Sequence, residues 1–555
     1  MEKILSAIQN EMWDEALQLF LDYTNENKIN EELCVVGATI LEHFGDKEST
    51  FDMIQAGLKF NLKNYELYLL LGNYYCESNP DKAYLSYENA LFYAQKYGTE
   101  EDVEIIEGII ADFKKNNIVN VNELLIVLIE GEDKKYTQSC IESIDNTCLR
   151  SVYDFIILDI GNREKRTKQI NKVVSDAVAD VDLCILSTDI IVTDNAIYNM
   201  RMALYEDEKV GAVSAVSNYA YYKQVPAYDK VKDFNEGIYF AQLNNIPQIY
   251  PYESKCALDT SFYIMRREII DKIFPLDTTF SSEAFQNLDM GLRVVKSGFK
   301  NIVCWNSYIY RYVGTQSQDV ELKMIENDKE KIKDKWGFSP EYYMNTRREL
   351  VEMIDHPKNS SIDVLEIGAG LGSTLARVQY LYPNAIVHGL EIVEKVADFA
   401  SKYVDMRCCN IETFCFGKDE KYDYVICGDV LEHLVDPYSV VNKIREVLKP
   451  GGCIIASIPN ILNADVIYEL LHGNFTYQDA GILDRTHLRF FTQNEVVKLF
   501  EERGFKITRI IGSSNPAEST SAHKEFFDKL LSIEGVVDKS QFEVIQYMLC
   551  AEKVY

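Results

Sequence analysis

VLEIGAGLGSTLA (Val364–Ala376) opens as a short apolar strand carrying one acid, Glu366. It breaks at Gly368, Gly370 and Gly372, then resumes as a helix near Ser373. Strand, glycine turn and helix in that order let a main chain close on a nucleotide-like ligand at a helix N-terminus. The turn alone is weak evidence, because a dinucleotide site uses the same device.

The residues C-terminal to this turn narrow the reading. HGLEIV ends a second strand with Glu391, an acid suited to the hydrogens of a ribose diol. CNIETF places Asn410 and Ile411 to meet an adenine edge and face. YDYVICGDVLEHLVDP is a strand ending at Asp429, with Glu432 and His433 just beyond, and LKPGGCIIASIP is a helix end, a turn and a strand. This ordered series resembles the class I S-adenosylmethionine (SAM)-dependent methyltransferases over residues 356–555. The resemblance implies a Rossmann-like α/β domain with SAM as cofactor. Glu366 and the three glycines would hold the methionine part, Glu391 the ribose, and Asn410 and Ile411 the adenine, with Asp429 beside them. Asn410 departs from the family, where an aspartate is more usual. A dehydrogenase shares the first turn, but GDVLEHL and LKPGG do not favour it.

LDRTHLRFFT (483–492) resembles the acceptor-side segment of methyltransferases that act on sugars and small hydroxylated molecules. Oxygen methylation needs a base near the hydroxyl, and His433 and His487 are the candidates. Each histidine has an equal structural reading: a cap on the Asp429 loop for His433, a hydrogen-bonded turn with Arg489 for His487. Phe490 and Phe491 read as core.

Two thirds of the chain precede that turn. At 555 residues, two to four domains are expected. A net charge of −30 and a pI near 4.7 argue against nucleic acid or anionic lipid as main partners. No apolar run reaches a membrane span, the N-terminus lacks a signal-peptide layout, and the 13 scattered cysteines suit a reduced, cytoplasmic protein.

Residues 1–117 read as helices only. Gly37 and Gly72 lie 35 apart and Ala56 and Ala90 lie 34 apart. Leu71, Gly72, Tyr75, Ala83, Tyr87 and Ala90 form a small–large–small pattern for closely packed antiparallel helices; Trp13, Ala16 and Phe20 suggest a partial earlier unit. This resembles the tetratricopeptide (TPR) repeat, with Tyr68 at the usual Trp position, and implies a surface for a protein partner. The plainer alternative is a helical cap on the next domain.

Between residues 118 and 318 strands and helices alternate: LLIVLIEG (124–131), YDFIILDIG (153–161), DLCILSTDIIVT (182–193), VGAVSAVSN (210–218) and NIVCWNSYIY (301–310). Such alternation predicts an α/β domain with a largely parallel sheet. The order, with the later SFYIMRREIIDKI and NLDMGLRVVKSGFK, resembles GT-A glycosyltransferases of family 2. That implies a nucleotide-sugar donor, a glycan or glycoprotein acceptor, and Glu130 and Asp159 at the uracil and ribose contacts. The family's acidic metal motif is reduced to Asp189, which would carry Mn²⁺ or Mg²⁺. Its catalytic acid pair is replaced by Gln286-Asn287, leaving Asp289 or Glu283 as base. A late histidine of the metal shell is Arg311, a cation able to neutralise a diphosphate without metal. A degenerate domain that only binds is the third reading.

Residues 319–355 are charged and helical and read as a linker. The whole predicts a bifunctional enzyme that transfers a sugar and methylates a hydroxyl of the same glycan, with flagellin as one acceptor by family analogy. Its alternatives are a methyltransferase with a non-catalytic glycan-reading domain, and a non-enzymatic scaffold organised by the repeats.

Overall fold

The computed structural model describes every residue except 132–133, 160–165, 177–179, 221–223, 226–230, 232, 260, 313–317, 515–523 and 555, and only the backbone of 318–323. The ends of two expected motifs, residues 160–161 after the second strand and 313–315 after the last, therefore lie outside the described residues. The chain divides into two compact units, Met1–Ile332 and Lys333–Tyr555.

Unit 1 begins with seven helices: Glu2–Gln9, Trp13–Glu26, Glu31–His43, Lys47–Phe60, Tyr65–Tyr75, Pro80–Tyr97 and Glu100–Asn116. Asn30, Asp46, Asn64, Asn79 and Thr99 cap the last five, each side chain accepting a backbone N–H of the first turn. The glycines mark close helix contacts. A Cβ on Gly37 would lie 2.6 Å from the Phe20 ring, and one on Gly72 would enter the Tyr87 ring. Ala16, Ala83 and Ala90 are fully buried.

The expected boundary near residue 117 does not separate compact units. One apolar core runs from Ala38 through Tyr93 and Leu128 to Ile309. Polar contacts cross it as well: Arg201 pairs with Glu88, Lys82 with Glu206 at 2.5 Å, and Tyr93 donates to Asn195. Buried charge of this kind is tolerated only when paired.

The strands of unit 1 are β1 (Glu123–Glu130), β2 (Tyr153–Asp159), β3 (Val181–Ser187), β4 (Ile190–Ile191), β5 (Val210–Ser217), β6 (Tyr252–Lys255), β7 (Phe262–Met265) and β8 (Lys300–Arg311). Their order is β2-β1-β3-β7-β5-β8-β4, with β6 on β8. The sheet is mixed, correcting the largely parallel expectation. β2-β1-β3 and β5-β8 are parallel, but β7 lies antiparallel between β3 and β5, and β4 and β6 are antiparallel to β8. β6 and β7 have four residues each, too short to show a period in sequence.

Unit 2 has β9 (Asp363–Ile367), β10 (Ile386–Glu391), β11 (Asp405–Cys408), β12 (Tyr422–Gly428), β13 (Leu448–Pro459), β14 (Phe505–Ser514) and β15 (Val544–Lys553). The order is β11-β10-β9-β12-β13-β15-β14. The first five are parallel, and β15 runs antiparallel to both neighbours. Lys449 ties the starts of β9 and β12, reaching Asp363 at 2.6 Å and Asp423 at 2.7 Å.

The expected linker is not a separate element. Its helix, Gln318–Trp336, contains the unit boundary. Asp328, within unit 1, accepts the N–H groups of Ser281 and Ser282. In unit 2, Trp336 and Phe338 pack on Phe399, and Leu350, Val351, Met353 and Ile354 sit in the core under β9 and β12. The apolar side chains spaced through 338–354 are what take this stretch into the fold.

Candidate active site

The turn after β9 is built by its glycines. Gly368, Gly370 and Gly372 all have positive φ, the left-handed region that side chains disfavour. A Cβ on Gly370 would lie 2.5 Å from the Tyr343 carbonyl oxygen. That carbonyl accepts the N–H of Leu371 at 2.8 Å, so the upstream segment clamps the turn. Gly368 and Ala369 both donate to the Leu390 carbonyl of β10.

Glu391, at the end of β10, accepts the Gly370 N–H at 2.9 Å and the Val393 N–H at 2.9 Å. The acid and the turn therefore form one rigid cradle. Glu366 is buried inside β9, and one of its carboxyl oxygens, Oε2, has no hydrogen-bond partner. Burial pushes its pKa up to about 8, opposed by a hydrogen bond with Thr374 and by the Arg347 charge. A buried acid lacking a donor is costly unless a cation or donor arrives. The ammonium of a bound amino acid moiety supplies one, so the residues present fit SAM.

Asp429, just past the end of β12, has φ of 53°, a rare backbone for a residue with a side chain. It accepts from Ser457 Oγ at 2.7 Å and from Gln546 Nε2, and it pairs with Arg347. Asn410 is exposed, and its Oδ1 already accepts the Glu412 N–H at 2.9 Å. Its NH₂ is then the better group for adenine, a donor for a ring nitrogen rather than an acceptor for the amino group. Ile411 is buried in the core beside β12.

His433 and His487 come together, with ring centroids 4.8 Å apart. Glu432, between β12 and His433, is buried, and both of its carboxyl oxygens lack a partner. Burial raises its pKa to about 8 and holds His433 below the ordinary imidazole range. The Glu432 carbonyl accepts the N–H groups of Leu488 and Arg489 at 2.8 and 3.0 Å, stitching the two histidine-bearing segments together. Phe491 is core as expected, but Phe490 is half-buried and packs on Phe475 and Tyr477 beside His487.

Sequence reasoning missed Arg347, Tyr343, Gln546 and the depth of Glu432. Arg347 and Tyr343 lie in the stretch read as linker, and no local pattern marks them.

In unit 1 the expected residues are paired with one another or with nearby cations. Glu130 and Asp159 stand in register on β1 and β2 and share Lys134, at 3.0 and 2.6 Å. Asp189 and Arg311, expected to act as alternatives, form an ion pair at 3.0 Å. Among the described residues no trio of metal-ligating side chains includes Asp189, and its ion-pair partner is Arg311. Glu283 pairs with Arg166 at 2.6 Å. Asp289 is buried at 2% exposure and pairs with Arg293 on its own helix.

A family profile described as a methyltransferase domain matches residues 339–510, which take in the clamp, the glycine turn and both histidines. Over 183 residues the chain is 31% identical to the ubiquinone biosynthesis O-methyltransferase of Chromobacterium violaceum, covering 32% of this chain and 77% of that one.

This chain belongs to the class I methyltransferases.

The enzyme of the same description from Nitrosospira multiformis is 25% identical over 187 residues, covering 32% of this chain and 77% of its own. A solved SAM-dependent methyltransferase from Archaeoglobus fulgidus is 18% identical with a TM-score of 0.28, covering 40% of this chain and 98% of that one. The methyltransferase match begins at residue 339, so it includes the clamping segment around Tyr343 and Arg347. Among the described residues no helix of this methyltransferase is long and apolar enough to cross a membrane.

Proposed function

We propose that unit 2 transfers a methyl group from SAM to a hydroxyl oxygen of a sugar or similar polyol. The observation that carries this is the facing pair His433 and His487 next to the glycine cradle. A carbonyl only accepts, so each imidazole donates through Nδ1, His433 to Thr486 O at 3.2 Å and His487 to Ile482 O at 2.9 Å. In the neutral rings both Nε2 atoms then keep a lone pair for a hydroxyl proton.

Bound SAM supplies an electrophilic methyl group. Glu366 and the glycine turn would hold its amino acid part, with Arg347 available to its carboxylate. Glu391 would hold the ribose, and Asn410 and Ile411 the adenine. The exposed faces of Phe475, Tyr477 and Phe490 give an acceptor ring an apolar wall. Incubating the full chain with labelled SAM and a set of sugars, nucleotide sugars and catechols tests the reading. Methyl ether formation supports it, and cofactor binding without any ether product refutes it.

For unit 1 we propose a nucleotide-sugar site that works without metal. Arg166 and Arg311 are both largely but not fully shielded from solvent, and Arg311 Nη1 has no partner, which suits a diphosphate. Glu283 and Asp289 are the base candidates, each held by an arginine, Arg166 and Arg293. The helical pairs at the N-terminus would then present a glycoprotein acceptor, flagellin being one such protein, and fusion of the two activities would raise the local concentration of the intermediate. A unit 1 that binds glycan without turning it over is the second reading, favoured by the mutual pairing of its charges. Calorimetry with UDP-, GDP- and dTDP-sugars separates the two.

A further inference from the structure

Unit 1 has a cavity of about 190 Å³ that the residues considered so far do not line. Asp189 and Arg311 stand at the first residue of β4, and the cavity's wall, Val192 to Asp194, follows the last. A second wall is the end of the helix Thr137–Asp145, with Asn146 and Thr147 just beyond it. The third is a face of the helix Phe234–Asn244 that carries Ile238, Ala241 and Gln242.

The lining mixes apolar surface with groups that both donate and accept. Val192, Ile238 and Ala241 supply the apolar part. Asn146 and Gln242 are exposed, and each amide offers donors and an acceptor. Thr147 Oγ1 donates to the Ser143 carbonyl at 2.9 Å and keeps its lone pairs. Asp194 is paired with Lys63 at 3.0 Å, so the lining offers hydrogen bonds more than net charge.

The walls are fixed from behind. Asn195, next to Asp194, is fully buried with φ of 63°. Four partners hold it there: its Nδ2 donates to Tyr68 Oη and to Asn245 O at 3.3 Å, and its Oδ1 accepts from Tyr93 at 3.0 Å and Asn89 at 3.3 Å. Tyr68, Asn89 and Tyr93 belong to the N-terminal helices, which thereby set the wall. Asn245 Nδ2 donates to Thr193 Oγ1 at 2.9 Å and to Asp194 O at 3.0 Å, and Ser143 Oγ accepts the Val192 N–H at 3.0 Å. Backbone held in a sparsely populated region by its surroundings is a mark of preformed binding sites.

Size narrows the ligand. A cavity of about 150 Å³ takes up a benzene ring. This one suits a single pyranose with its hydroxyls and is too small for a nucleotide. A pyranose also matches the lining, with an apolar C–H face and hydroxyls that donate and accept.

We propose that this cavity binds one sugar residue of a glycan, apart from the nucleotide-sugar site at Asp189 and Arg311. The sugar's C–H face lies on Val192 and Ala241, and its hydroxyls bond to Asn146, Gln242 and Thr147. The inference takes its ligand class from the glycan reading of unit 1 and requires neither donor binding nor turnover.

The test uses the full chain and a panel of methyl glycosides: glucoside, galactoside, mannoside, rhamnoside and N-acetylglucosaminide. Binding is read by NMR saturation transfer from protein to sugar protons. At least one glycoside should bind saturably, and saturating UDP should not displace it. The double variant Asn146→Ala, Gln242→Ala should weaken that binding by at least about fivefold, the least expected for losing two hydrogen bonds. Ala241→Leu, which fills the cavity, should abolish it. Thermal unfolding reports the fold of each variant, and the double variant changes exposed side chains only, so it decides the matter if Ala241→Leu is unstable. Failure of every glycoside to bind, or affinity unchanged in the double variant, overturns the proposal. Displacement by UDP with affinity kept in the double variant would put the sugar in the nucleotide site, refuting the cavity and leaving the glycan reading standing.

Discussion

Gly370 donates its backbone N–H to Glu391 Oε2 at 2.9 Å, joining the glycine turn to the acid at the end of the neighbouring strand. The bond explains why the two motifs act as one. A carboxylate accepts more than one hydrogen, so Glu391 can hold the turn and still meet a ribose hydroxyl.

Glu391→Gln should therefore weaken SAM binding by about tenfold to a hundredfold, the range expected for losing a hydrogen bond to a charged group. Gly370→Ala should do more, because its φ of 54° and the Tyr343 carbonyl leave no room for a Cβ. Calorimetric titration of both variants checks the order.

Glu366 gives the site a pH signature. Its pKa is raised to about 8 in the fold, so the native chain binds a proton that the unfolded chain has released by neutral pH. Stability from this group is full below the ordinary carboxylate range and declines as pH rises toward 8. Glu366→Gln should flatten that decline in cofactor-free protein, as read by thermal unfolding between pH 5 and 8. SAM binding near pH 7 should release a proton from Glu366, visible as a dependence of calorimetric enthalpy on buffer ionisation heat. A binding enthalpy independent of buffer would contradict the assignment.

The glycine turn and the strands β9, β10, β12 and β13 were legible because apolar runs of five or more residues and alternating glycines leave strong local patterns; β11, only four residues and mostly polar, was not. Arg347 was not, because a single arginine on an irregular segment gains its role only when the chain returns to place it beside Asp429. The pairing of Asp189 with Arg311 was equally hidden: each was recognisable at its motif position, but their contact depends on β4 lying beside β8. β7 was missed for its length, and its antiparallel insertion made the sheet mixed.

Arg311→Ala should remove nucleotide-sugar binding to unit 1, and Mn²⁺ should not change the wild-type affinity. Asp189→Asn should keep binding and leave it equally indifferent to Mn²⁺. An affinity that rises with Mn²⁺ and collapses in Asp189→Asn would restore the metal role that the ion pair argues against.

Close helix packing in the N-terminal region gives a stability test. Gly72→Ala puts a methyl group into the Tyr87 ring and should cost about 1–3 kcal/mol, as overpacking does. Tyr87→Leu in the same chain should recover part of that loss in denaturant unfolding.

The central claim is methyl transfer to oxygen in unit 2. The most direct measurement is mass spectrometry of sugar and polyol acceptors after incubation of the full chain with methyl-deuterated SAM. The account predicts a deuterated methyl ether, formed with one equivalent of S-adenosylhomocysteine and lost in His487→Ala. Tight SAM binding with no labelled ether on any hydroxylated acceptor would contradict it.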